Sequence, residues 1–440
     1  MYRNSTLRMN RLYANDSYSD LAHKLLFFIL WPFGVFVHSV FHIRQKSSFV
    51  IFVLYGILFC WRLNPNNTMQ SDDFNDICEV FFASKWTFAD LWNQFEALIT
   101  FSPEIKERDV YENFLCWLTK LFTESNYHLH FAFASILYLY FSLKSVKFIT
   151  DDKKFEQSFN KKFEQSLLCL VVILLFVIPR DIITVQNPRY TTAHWLIIFS
   201  ILSFIIKGDL KYLFLLPLAY ILHSGTGLLV CIFYLGYIFR KYVNIAFVIF
   251  CISIPFALTP SDENIGMDLW FTQYLPPIFS DYLNKIFSES MYEKLVAQSD
   301  QTGYIWVQLL FDMLIKLSHI IIIILLWYKR NWFRNNKKIY SLFGTVLIMF
   351  AIINFMQFIP IIGSRYMWLV RSLSIYLFFK VFYKTKYEKY LWIILFTCLQ
   401  FIFMRWFYKG AGVFLVSPTI YYMPAPYLIY DFIGAKAFPV

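Results

Sequence analysis

KYLFLLPLAYILHSGTGLLVCIFYLGYIFRK, residues 211–241, holds the plan of the whole chain. The apolar run from Tyr212 to Phe239 is too long for a single bilayer crossing of about 20 residues. His223-Ser224-Gly225-Thr226-Gly227 interrupts it, and those small and polar residues suit a tight turn or a broken helix. Lys211 at one end and Arg240 with Lys241 at the other belong on the cytoplasmic side, where the Lys and Arg of short loops concentrate. The turn at His223 then faces outward.

The same alternation runs outward from this hairpin to both ends of the chain. Of 440 residues, 58% are hydrophobic, 21% aromatic and only 16% charged, with a mean hydropathy of +0.50. A soluble domain has about 45–50% apolar and about 25% charged residues, so this chain is not one. Apolar segments at 25–41, 48–61, 128–143, 166–182, 191–206, 212–223, 225–239, 244–259, 304–328, 339–360, 366–383 and 389–405 are candidate spans. The basic loops Arg44/Lys46, Lys144 to Lys162, Lys207/Lys211, Arg240/Lys241, Lys329 to Lys338 and Lys380 to Lys389 fall on one side, the inside. The outside receives the long loops 62–127 and 260–303, the turns near 183–190, 223–225 and 361–365, and an aromatic tail, 406–440.

The expected fold is an all-α, polytopic integral membrane bundle of about eleven or twelve helices, with residues 1–440 as one domain. Parity puts the polar extension 1–24 outside, although it carries Arg3, Arg8, Arg11 and Lys24. Segment 25–41 is short and holds Pro32 and Gly34, so a re-entrant or interfacial course would leave the N-terminus inside. No small-residue cleavage site follows the first apolar run, so no signal peptide is expected. The net charge of +11 is explained by loops facing anionic lipid, and no nucleic acid is implied. Lys-Lys-Phe-Glu-Gln-Ser at 153–158 recurs at 161–166, a spacing too short for a solenoid unit.

A few cations break the alternation. Arg62, Arg180, Arg189, Arg365 and Arg371, with His223, lie at the outer helix ends, where such charge is depleted. Arginine there suits a fixed anionic ligand, phosphate or carboxylate. Pro188 starts a helix, so Arg189 sits in its first turn, opposing the helix dipole unless an anion lies close. Arg180 reads equally as a snorkelling headgroup contact. Arg371 lies about 9 Å beyond Arg365 along a helix and about 240° round it, so an internal carboxylate or a phosphate is expected beside it. His223 is a candidate general base near neutral pH, or else a polar turn residue at headgroup level. His194, four residues after Tyr190, reads as a hydrogen-bonded core histidine.

In the first long loop, Ser71-Asp72-Asp73-Phe74-Asn75-Asp76-Ile77-Cys78-Glu79 would place Asp72, Asp76 and Glu79 on one helix face. Crowded carboxylates raise one another's pKa and poise one as a base; an acidic first turn of a helix is the plainer reading. Loop 260–303 adds seven acids and an aromatic group, Trp270, Phe271 and Tyr274. The tail suits an interfacial belt or a platform for sugar rings. Cys78 and Cys116 share one outer loop and can pair in an oxidising compartment, and the other five cysteines are scattered through the apolar chain. Nucleotide-binding, hydrolase-elbow and metalloprotease motifs are absent, and neither a metal nor a cofactor is expected.

The order of these residues resembles the EpsG-type branch of the Wzy polysaccharide polymerases. It runs Arg62 then Asp73, Arg189-x-x-x-Ala193 opening a helix, His223-Ser224 at an outer turn, and Arg365 and Arg371 late, over roughly residues 48–383. Ile77 stands where that family tends to carry tyrosine. The resemblance implies a membrane glycosyltransferase at the outer face of the bacterial inner membrane. Its donor and acceptor would be undecaprenyl-diphosphate-linked oligosaccharides, its setting the lipid bilayer, and a chain-length regulator a candidate partner. The arginines (Arg189, Arg365, Arg371, Arg180, Arg62) would hold the diphosphate, and His223 or Asp73 would move the proton. Two rivals are a flippase for the same lipid-linked glycan and a membrane acyltransferase of cell-surface sugars.

Overall fold

The structure, a computed structural model, describes residues 18–63, 87–100, 110–123, 126–156, 163–180, 187–258, 305–358, 362–386 and 418–433, with a few single positions between them. All regular structure among the described residues is helical. In chain order the first half holds α1 (Tyr18–Leu30), α2 (Pro32–Phe41), α3 (Lys46–Trp61), α4 (Phe88–Ile99), α5 (Val110–Lys120), α6 (Tyr127–Thr150), α7 (Phe163–Val177) and α8 (Pro188–Leu202). There follow α9 (Lys211–Leu215), α10 (Leu218–Leu222), α11 (Gly227–Phe239), α12 (Val243–Leu258), α13 (Ile305–Tyr328), α14 (Lys337–Phe355), α15 (Ile362–Phe382) and α16 (Ala425–Ile433).

Among the described residues, three helical stretches are long and apolar enough to cross a membrane: His128–Thr150, Pro188–Lys207 and Lys337–Phe355. Pro188–Lys207 comprises α8 and a five-residue π-helical turn, Ser203–Lys207. Helices α13 and α15 are as long, with 24 and 21 residues, and carry charge within them. The expected span 212–223 is instead two short helices parted at Leu216-Pro217, because proline cannot donate to the carbonyl a turn below. The expected span 389–405 lies almost wholly outside the described residues.

The first apolar segment is broken into two helices. Proline at the first position of α2 starts a second arm after Trp31, and α1 and α2 form a hairpin. Its open end is fastened to the start of α3: Lys24 Nζ donates to Ser47 Oγ (2.8 Å) and Ser48 Oγ (3.1 Å) and pairs with Asp20 (3.1 Å). Its tip meets the opposite end. Trp31 Nε1 donates to Tyr421 O (2.8 Å), within the short turn Pro418–Tyr421, while Arg62, after α3, donates to Thr419 Oγ1 (2.9 Å). The hairpin brings the start of α1 to the end that carries Arg44 and Lys46.

Helices α8 and α15 form the centre. Every residue from Tyr190 to Leu202 is buried, as is every residue from Leu369 to Phe379. A helix apolar on all sides is covered on all sides. Helix α8 packs on α6 and α10, α15 packs on α7, α13 and α14, and the two touch each other. At the basic end, cations meet helix C-termini, where unpaired carbonyls carry partial negative charge. Lys154 Nζ donates to Tyr383 O (3.1 Å), Lys338 Nζ donates to Ile206 O (2.6 Å), and Lys380 pairs with Asp152.

Helix α14 approaches its neighbours through glycine, as membrane helices do where backbones must come close. A Cβ at Gly344 would stand 2.1 Å from the Arg240 carbonyl oxygen, and one at Gly236 2.9 Å from that of Thr345. Backbone cannot step aside cheaply, and overpacking of this kind costs about 1–3 kcal/mol. Gly344→Ala should therefore lower the unfolding temperature of the detergent-purified protein, measured by tryptophan fluorescence. An unchanged transition would contradict this packing.

Candidate functional site

Tyr190 ties three helix ends together. It lies in the first turn of α8, and its hydroxyl donates to the Arg365 carbonyl (2.7 Å) at the start of α15. The Arg365 guanidinium lies 5.6 Å from the centre of the Tyr190 ring, a cation–π arrangement. The His223 ring meets the same tyrosine edge-on, with centroids 5.3 Å apart. Tyr366, next to Arg365, closes the circuit by donating from its hydroxyl to the Gly225 carbonyl.

The turn that presents His223 is built by its own backbone. His223 N donates to Ala219 O (2.9 Å), ending α10, and the His223 carbonyl accepts from Thr226 N (2.9 Å) and Thr226 Oγ1 (2.8 Å). Glycine is needed two residues on: a Cβ at Gly225 would stand 2.9 Å from His223 Nε2. His223 is 8% exposed, so its ring is held inside the corner rather than laid on the surface.

Arg189 has the anion that its place in the helix demands. Its Nε lies 3.0 Å from Glu112 Oε2, with the two side chains 22% and 7% exposed. Glu112 comes from α5, in the outer loop 62–127, and no sequence argument had singled it out. The clue was helical spacing: Glu112 shares the buried face of α5 with Leu115, Cys116 and Thr119. A carboxylate on that face needs a cation. Next to it in the chain, burial pushes the Tyr111 hydroxyl above its ordinary range.

An apolar groove of about 320 Å³ opens between α4, α5 and α10, and its lining includes Tyr111 and Leu222, the chain neighbours of Glu112 and His223. Trp92, Phe95, Tyr111, Phe114, Ile221 and Leu222 are among the residues that line it. Helix α4 starts at a capping box, in which Thr87 and Asp90 bind one another's backbone amides. Phe88 and Trp92 remain exposed on it, as on a helix that rests on a membrane interface.

Arg365 and His223 thus meet at the Tyr190 ring, Arg189 stands next to that tyrosine in the chain and faces Glu112, and among the described residues Arg371 and Arg62 have other neighbours. Arg371 is buried on the side of α15 towards α13, where its charge reaches Lys316 and His319. His319 Nδ1 and Ser374 Oγ are 2.9 Å apart, and Ser374 donates in turn to the Arg371 carbonyl (2.8 Å). Arg62 is buried and engaged by the tail, through Thr419 Oγ1 and the Leu428 carbonyl (3.4 Å), which gives it a structural role. The backbone of Arg180 ends the short turn Ile178–Arg180, and its side chain lies outside the described residues, as do Asp73 and the possible partner of Cys116, Cys78. His194 is fully buried, with its ring 6.3 Å from that of Tyr190.

The EpsG family matches the chain over residues 82–422. The chain belongs to the EpsG family. Membership brings a polysaccharide-polymerase-like, glycosyltransferase-like function and the character of a multi-pass membrane protein. The EpsG match takes in Glu112, Arg189, His223, Arg365 and Arg371, and it begins beyond Arg62 and Asp73. No curated protein and no solved structure matches the chain.

The Glu112–Arg189 pair is testable without any substrate. Glu112→Gln and Arg189→Gln should each lower the unfolding temperature of the purified protein, because each strands a charge at the corner. The double variant should lose less than the two losses added, by roughly 1 kcal/mol or more. Strict additivity would show that the pair carries no interaction energy.

Proposed function

We propose that the chain is a glycosyltransferase that polymerises undecaprenyl-diphosphate-linked oligosaccharide repeat units into capsular, exo- or O-antigen polysaccharide at the outer face of the bacterial inner membrane. The observation that carries this reading is the Tyr190 corner. The Arg365 guanidinium and the His223 ring meet there on one tyrosine, with Arg189 next to that tyrosine in the chain and an apolar groove reaching Leu222, within a member of the EpsG family.

The reaction asks for little more. An acceptor hydroxyl attacks the anomeric carbon of the donor, and the bond from that carbon to the diphosphate oxygen breaks. Undecaprenyl diphosphate leaves with the electron pair. Arg365, whose guanidinium faces the Tyr190 ring and no carboxylate among the described residues, meets the growing negative charge. Arg189 adds a second cation, held at its Nε edge by Glu112. His223 takes the proton from the acceptor. The groove between α4, α5 and α10 accommodates the first isoprene units, so the lipid need not leave an apolar surface. Asp73 remains a second candidate for the proton, and Arg371 a further ligand for diphosphate.

A second reading, a carrier for the same lipid-linked glycan, draws on Arg371 with Lys316, two cations deeper in the bundle. The two readings differ in what collects when the corner is damaged. Arg365→Ala and His223→Gln should each cut long-chain polysaccharide by about tenfold or more, with normal protein level and single lipid-linked units building up on the outer leaflet. Units held on the inner leaflet would favour the carrier, and unchanged long chains in both variants would sink the polymerase.

A further inference from the structure

The basic end of the bundle holds a cleft that the reaction above does not use. It measures about 340 Å³ and lies between the link that joins α11 to α12 and the link that joins α13 to α14. Lys241 enters it from the first link and Arg330 and Arg334 from the second, with Asn244, Asn331 and Tyr340 between them. No carboxylate lines it among the described residues.

Three like charges directed into one concavity repel one another unless an anion lies among them. Their positions are also restrained. Arg330 Nη1 donates to the Trp327 carbonyl (3.1 Å), and its guanidinium stacks 4.1 Å from the Trp327 ring centre. The Trp327 ring is itself stacked on Phe247 of α12 at 3.9 Å, so the two walls are locked together. Arg240 is drawn away over the Tyr237 ring, 3.6 Å from its centre, which leaves Lys241 as the cation this link supplies to the cleft. Below the cleft, Ile245, Ile249 and Ile252 form an exposed apolar row along α12. Tyr242 and Trp332 stand exposed at the rim, as aromatic residues do at headgroup level.

A cationic, amide-lined cleft continuous with an apolar helix face matches a phosphate group attached to acyl chains. We propose that this cleft binds the phosphodiester headgroup of an anionic phospholipid from the leaflet at the basic end, with its chains along α12. Lys241, Arg330 and Arg334 supply the charge, and Asn244 and Asn331 supply neutral hydrogen bonds. The free phosphate ion offers the same chemistry without the chains, so the test separates the two.

The full chain, purified in detergent, is titrated with phosphatidylglycerol, phosphatidylcholine or inorganic phosphate, and bound lipid is read by native mass spectrometry. The wild type should bind phosphatidylglycerol about tenfold more tightly than phosphatidylcholine, with no competition from inorganic phosphate at millimolar concentration. Lys241→Ala/Arg330→Ala/Arg334→Ala should abolish that preference. Arg334→Gln, at an exposed position that the fold does not need, should reduce it about threefold and keeps the test decisive should the triple variant fold poorly. Equal binding of the two lipids by the wild type, or an undiminished preference of about tenfold in Arg334→Gln, would overturn the assignment. Inorganic phosphate displacing the lipid at equal concentration would also overturn it, in favour of a free-anion site. None of these readouts involves polysaccharide, so the proposal stands or falls apart from the polymerase reading.

Discussion

The Tyr190 side chain does two things at once: its hydroxyl fixes the start of α15, and its ring lies against both the Arg365 guanidinium and the His223 imidazole. Separate hydrogen bonds would not place a cation and a base on one aromatic ring. Because α8 and α15 are buried on all sides, their outer ends cannot drift independently, and the corner inherits the rigidity of the core. The turn at Gly225 is fastened to the same pair through Tyr366. The site thus depends on helix packing far more than on loops.

The bilayer explains the rest of the charge distribution. At the basic end, lysines find helix carbonyls or a single aspartate, as Lys154, Lys338 and Lys380 do. At the other end three arginines are each matched to something flat or forked: Glu112 for Arg189, an aromatic ring for Arg365, a hydroxyl and a carbonyl for Arg62.

Much of this was legible in the sequence, and the limits have physical causes. The broken helix at His223 was readable because glycine and serine inside an apolar run have few other meanings. The need of Arg189 for an anion followed from the helix dipole. The anion itself was not identified: Glu112 lies far off in sequence, on a short amphipathic helix, and the acids near Asp73 drew attention by their density alone. Arg62 looked like a ligand for substrate, but its partner Thr419 is 357 residues away, beyond the reach of any local pattern. The hairpin at Trp31–Pro32 was one of two courses left open by charge parity, and only the contacts of Lys24 and Trp31 decide between them. The offset of about 240° between Arg365 and Arg371 was readable from helix geometry, but the neighbours of Arg371, Lys316 and His319 on another helix, were not.

The central claim is that the outer corner joins one lipid-linked glycan to another. The most direct measurement uses the purified protein in liposomes with a defined undecaprenyl-diphosphate-linked repeat unit and no nucleotide sugar. The account predicts oligosaccharides of two or more units, with one undecaprenyl diphosphate released for each bond formed. Movement of intact units across the bilayer with no new glycosidic bond would contradict it.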